Sequence, residues 1–375
     1  MLFLTRLFGI TGSAAERNLA NEHELVEQIV EKVLLLQAKS ATEQHRSLGR
    51  GTHVKGTAAR ALFEVYDVKA GPDPGLAARL AQGMFAAPGV YPALVRFANA
   101  DPKINSDFKA DVRSLSFAVD LTQNGASTPP VPRQDFSLQN TTTLPLNDAT
   151  AFLAVMKLLT ASNPGAGLLA LNLKDKLRVI RTLALVAVQS HQVIRPYQLL
   201  RYGSNTPFRH GPRDIVKFSA TPLPGNPSQP LQRANPNALQ DEILRHLNDD
   251  HTMSGFEFAV QFLDPTRMTY WGKKYDADFW TENASIDWKE SQAPFHPVGR
   301  LTLLEKSQLT GDAATELSFD VTGNSTPGSI PVGSINRARQ KGEIASRQAR
   351  QNRIDRVARE SSGATSIPPK SAVPR

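Results

Sequence analysis

Arg50-Gly-Thr-His53-Val-Lys-Gly56 puts one imidazole between two cations and two glycines. Such a histidine serves as a general base only if it stays neutral. Arg50 and Lys55, if close in space, disfavour a further positive charge on the ring and so favour that form. His191, His210, His246 and His251 show no metal-ligand spacing. The chain has no cysteine, which excludes disulfides, thiolate zinc sites, iron–sulfur clusters and cysteine nucleophiles. Any metal or cofactor is held by nitrogen or oxygen ligands, or by Met. The aromatic residues Tyr270, Trp271, Tyr275, Phe279, Trp280 and Trp288 read as core or interface packing, with a ligand channel as the alternative.

The elements that must position these residues follow from hydrophobic period. Leu25, Val26, Ile29, Val30, Val33 and Leu34 recur at helical spacing over 21–39, with Asn21 as the expected N-cap. From Gly56 the pattern shifts to short alternating runs closed by Pro, Gly, Asn and Asp. They predict strands at 61–68, 93–99, 112–121, 135–139, 214–220, 256–263, 298–304 and 314–320. Helices are predicted at 147–160, 166–190 and 238–248, and five prolines within 221–236 mark a surface connection. About eight strands suggest one barrel or sandwich. The expected division is an N-terminal helical arm (1–45), a barrel with a helical insert (46–335), a basic helix (336–360) and a disordered tail (361–375).

The order and wording of several segments resemble the haem catalase superfamily. Arg50-x-x-His53-x-Lys-Gly56 before Phe63-Glu-Val is similar to its distal-histidine motif, and Val95-Arg96-Phe97 to its following strand. Asp111-Val-Arg113 with Phe117-Ala-Val, then Asp135 through Asn140, Asp148 and Phe152, and finally Pro297-Val-Gly-Arg-Leu, resemble three later blocks. The resemblance covers 46–350; length and the block Arg201-Tyr-Gly with Phe208-Arg-His-Gly-Pro are closest to the smaller catalase-related proteins. It implies an α+β fold, a catalase-like antiparallel eight-stranded β-barrel with added helices, enclosing haem b between His53 and a C-terminal helix.

Carried over residue by residue, the resemblance makes His53 the distal acid–base group that cleaves peroxide on iron. Gln139 stands where the family has a peroxide-orienting Asn, and Phe152 would pack on the haem. Arg50, Arg96 and Arg350 would hold the propionates, and Arg339 would keep the axial ligand anionic. That ligand departs from the pattern: the family's Arg-x-x-x-Tyr is here Arg339-Gln-Lys-Gly-Glu343, and no Tyr follows Tyr275. Glu343 is an anionic oxygen ligand but a weaker donor than a phenolate. Ala98 replaces the Ser that supports the distal histidine. The implied function is decomposition or reduction of hydrogen peroxide or organic hydroperoxides. The alternatives are a catalase-fold protein without haem or activity, and a fatty-acid hydroperoxide-converting enzyme, since Thr52 before His53 resembles allene oxide synthases.

Charge bears on partners. The chain is formally +8, yet 336–375 holds ten Lys/Arg against three Asp/Glu, leaving 33 basic and 32 acidic residues elsewhere. The basicity belongs to one helix and its tail, whose cations lie all around the helix without stacking aromatics, so no nucleic-acid partner is expected. Residues 1–10 are apolar but broken by Arg6 and lack a basic n-region, and no run reaches a membrane span. The expectation is a cytoplasmic protein, with a homo-oligomer allowed.

Overall fold

The computed structural model describes residues 15–43, 50–122, 132–249, 254–310, 314 and 317–361; the tail at 362–375 lies outside them. In chain order the elements are α1 (Glu22–Glu43), β1 (Gly56–Val65), α2 (Pro74–Leu80), β2 (Gly89–Asn99), β3 (Arg113–Asp120), β4 (Arg133–Gln139), α3 (Ala149–Thr160), α4 (Pro164–Ala170) and α5 (Leu173–Ser190). They continue with β5 (Tyr202–Gly203), β6 (Phe208–His210), β7 (Asp214–Pro222), α6 (Ala238–Asp249), β8 (Gly255–Phe262), α7 (Ala277–Glu282), β9 (Phe295–Leu309) and α8 (Ser334–Ser361).

β1 pairs with β2 on one side and β9 on the other. The antiparallel ring runs β1-β2-β3-β4-β5-β7-β8-β9 and returns to β1, with β6 attached to β7. This is a closed eight-stranded barrel. Its closing strand is two residues long: Gly203 pairs with Gln139 and Ser219, and Tyr202 with Ala220. So short a strand has no period to read, and the sequence does not predict it.

Alternation decides what lies inside. On β1, Ala59, Ala61, Phe63 and Val65 point into the barrel while Arg60 and Glu64 point out. Phe63, Phe117, Phe136, Phe218 and Phe258 fill the interior, with Phe117 and Phe136 centroids 4.7 Å apart and Phe136 and Phe258 4.9 Å apart. Each such pair adds about 1 kcal/mol to what burial alone gives.

Three expectations need correction. The described residues of 314–320, 314 and 317–320, form no strand, because the end of the stretch is turned by side chains. Asp320 accepts from Thr322 N–H and Gly323 N–H, while its own N–H donates to Asp135 Oδ2 at 2.7 Å. The helix expected at 166–190 is two, α4 and α5, since Asn172 caps a new helix by accepting from Asp175 N–H at 2.9 Å. Asn21 has φ 54, left-handed rather than the extended backbone of an N-cap.

Outside the barrel, α1, α3 and α8 pack on one another through Val26, Ile29, Ala149, Leu153 and Ala338. Arg337 ties α8 to α1 and α7, donating to Glu22 and Glu282 and to Glu16 at 2.7 Å. Trp280 and Trp288 are buried with Met268 and Ile286 in a separate cluster, so most of the aromatic series is core, although Trp271 is exposed.

Candidate functional site

Since Phe97, Leu115 and Leu138 face the barrel interior, their neighbours Ala98, Ser114 and Gln139 face outward. These three are cross-strand partners, Ala98 with Ser114 and Ser114 with Gln139, in a row that begins at Gly56. His53 sits at the start of this row, in the loop entering β1. The candidate chemistry therefore lies on the outer wall of the barrel, on the side of α8.

His53 has φ 54, a left-handed backbone that costs a residue with a Cβ about 1 kcal/mol or more. Two hydrogen bonds hold it there. Its N–H donates to Ala100 O at 3.3 Å, and its carbonyl accepts from Arg96 Nη2 at 2.8 Å. Gly56 makes room for that guanidinium: a Cβ at this position would lie 2.3 Å from Phe97 O and 2.8 Å from Arg96 Nη2.

The ring is fixed by a hydroxyl. Ser114 Oγ lies 3.1 Å from His53 Nδ1 and donates to Ala98 O at 3.2 Å. A hydroxyl has one proton, and a carbonyl can only accept. Toward His53, Ser114 therefore accepts, which puts the ring proton on Nδ1 and leaves Nε2 bare. The sequence gives no direct sign of this, because Ser114 reaches His53 from β3, two strands over from β1, through a pairing register. It occupies the row position beside Ala98, where the resemblance leads one to miss a hydroxyl.

Burial, and then the charges of Arg96, Arg339 and Arg50, hold the His53 pKa down at about 3. The imidazole is neutral at any ordinary pH. Lys55, expected to share this task, is instead turned away: its ammonium pairs with Asp107 at 2.8 Å and donates to Asn105 O at 3.0 Å.

Arg50, Arg96 and Arg350 come together. Burial first, and then the charges of Arg96 and Arg350, bring Arg50 down to about 9, and Arg50 donates to Leu317 O. Burial brings Arg96 to about 10, with Tyr197 raising and Arg350 lowering it. Arg50 and Arg96 both remain cations at neutral pH.

On α8, Arg339 Nε pairs with Glu343 Oε1 at 2.8 Å. Glu343 Oε2 is buried and has no hydrogen-bond partner among the described residues. Gln37 of α1 donates to Ser346 O at 3.2 Å, one turn further along. The Gln139 amide meets that of Asn205 at 3.1 Å, a partner that the sequence does not reveal. Phe152 packs with the apolar cluster of α1, α3 and α8.

His210 and His246 serve structure. His210 Nε2 lies 3.1 Å from Leu80 O and His246 Nε2 2.8 Å from Ser254 Oγ; His251 lies outside the described residues. No group of three or more His, Asp or Glu that could hold a metal ion occurs among the described residues.

No known family profile matches the chain, and no curated protein matches it. Solved structures do. The chain is similar to a fungal catalase (14% identity, TM-score 0.59, covering 85% of this chain and 62% of that one). It is also similar to catalase A from Saccharomyces cerevisiae (15%, 0.56, 82% and 61%) and to a bacterial catalase (18%, 0.52, 98% and 66%). The chain thus spans under two thirds of the length of the first two. It has the catalase fold.

Proposed function

We propose that this catalase-fold chain is a haem protein acting on hydrogen peroxide or an organic hydroperoxide, with His53 as its acid–base group. The observation that carries the reading is the seat of His53, where the backbone is pinned, Nδ1 is committed to Ser114, and the ring is kept neutral. Side chains around it are of the types that haem needs. Arg50, Arg96 and Arg350 would hold the propionates through charge-assisted hydrogen bonds. Phe152 would pack on the ring system. Glu343, with one oxygen bound to Arg339 and the other buried without a described partner, would be the protein's oxygen ligand to iron.

When bound, haem supplies the iron at which the O–O bond of the peroxide breaks. His53 Nε2, bare and uncharged, accepts the proton of the substrate's OOH group and later gives it to the departing oxygen. Gln139 orients the substrate by its amide, itself steadied by Asn205. Arg339 holds the Glu343 carboxylate in an ion pair at 2.8 Å.

A second reading has one observation in its favour: Glu343 stands where the resemblance calls for Tyr, and it already has an ion-pair partner in Arg339. On that reading the barrel persists without the chemistry. Turnover of the hemin-reconstituted protein separates the two. His53→Ala should lower peroxide turnover about a hundredfold or more with the fold intact; unchanged turnover would reject the proposal.

A further inference from the structure

Helix α5 shows solvent the face that an amphipathic helix ordinarily buries. At about 100° per residue, Leu173, Leu177, Ile180, Ala184 and Val188 share one stripe. That stripe points outward, with Leu173 72%, Leu177 60%, Ile180 56% and Val188 74% exposed. Val179 and Thr182, which the helix buries, lie on the opposite side. Leu169 before the helix and Val193 after it, 77% and 74% exposed, extend the apolar surface. A patch of this kind marks an interaction site rather than chance exposure.

Its margins are basic. Lys176 flanks the stripe on one side, Lys174 and Arg181 on the other. Arg181 is anchored by Asn147 and by Ser285 Oγ at 2.9 Å. The helix's single carboxylate, Asp175, points to the packed side, where it pairs with Arg178 at 2.8 Å. Beyond the helix, Val193, Arg195, Leu231 and Arg233 line an open groove of about 710 Å³, which repeats the pairing of apolar and cationic side chains. None of the candidate site residues lines that groove.

We infer that this face of α5 lies on an anionic lipid surface, with the apolar stripe at the acyl boundary and Lys174, Lys176 and Arg181 among the headgroups. A second copy of the chain is a poorer occupant. Two such helices face to face would set the three cations of one copy against those of the other, with Asp175 of each turned away. No described helix is long and apolar enough to cross a membrane, so the contact lies in the plane of the interface.

The test is co-sedimentation of the full chain with vesicles of phosphatidylcholine alone and with roughly a quarter phosphatidylglycerol, together with light scattering of the free protein. Binding should favour the anionic vesicles about tenfold and weaken with salt. The double substitution Leu177→Glu/Ile180→Glu should lower that binding about tenfold or more with circular dichroism unchanged. Lys174→Glu/Lys176→Glu should weaken it and flatten its salt dependence. Three results would overturn the inference: no binding to either vesicle, binding that survives Leu177→Glu/Ile180→Glu, or a dimer in solution that the same pair of substitutions splits.

Discussion

Ser114 gives His53 its tautomer, so its removal should act on proton transfer rather than on the fold. Ser114→Ala is expected to lower peroxide turnover about ten- to a hundredfold, as loss of an orienting partner does. Ala98→Ser added to that variant should restore a large part of it, since Ala98 and Ser114 are cross-strand neighbours on one face. Turnover measured across pH for the three proteins checks this; equal turnover in all of them would show that the hydroxyl only packs. His53 also carries a stability signature. Its pKa falls from an ordinary 6.5 to about 3, so the unfolded chain takes up the proton first as pH drops. The stability associated with the neutral ring is complete above about 6.5 and is lost as pH falls toward about 3. Thermal melts of His53→Gln should lose less on acidification from pH 6 to pH 4, a window set by these two values, than melts of the unsubstituted chain. The resemblance names Arg50, His53, Arg96, Gln139, Arg339, Glu343 and Arg350 from the sequence, and the structure brings Arg50, Arg96 and Arg339 near His53. Ser114 and Asn205 were not legible there, because each meets its partner through a tertiary contact between segments far apart in sequence that no local spacing encodes.

At the scale of elements, the long strands were readable where apolar residues alternate along the sequence, as Phe256, Phe258, Val260 and Phe262 do with Glu257 and Gln261 between them. The errors fall where side chains, not period, decide the backbone. Asn172 starts a helix inside an apolar run, and Asp320 turns a stretch that reads as a strand. Asp320 is pulled to about 2: burial raises its pKa, but Arg347, Thr322 and the Gly323 N–H outweigh that. Its contribution holds α8 to the barrel above about pH 4 and fades as pH falls through about 2. The other clamp on α8 is Arg337. Arg337→Ala leaves Glu16, Glu22 and Glu282 without their shared cation and should cost roughly 2 kcal/mol, below the cost of a fully buried pair because the guanidinium is partly exposed. Denaturant melts will check this; a change under about 0.5 kcal/mol would show that α8 is held by its apolar contacts alone.

For the whole molecule, closure and core are one arrangement, since the barrel is filled by stacked phenylalanines and all the candidate chemistry is outside it. Phe63→Ala should therefore destabilise by about 3–5 kcal/mol without a change in the His53 titration. The formal charge of +8 also takes on a location. Within α8, Arg337, Arg339 and Arg347 each pair with a carboxylate. What the molecule as a whole must do, if it is a haem protein, is take up one haem per chain. Hemin titration of the purified protein, followed by its Soret absorbance, tests this most directly. A band that saturates at one hemin per chain, and whose position shifts in Glu343→Tyr, is the predicted result; a titration with no stoichiometric Soret band would contradict the account.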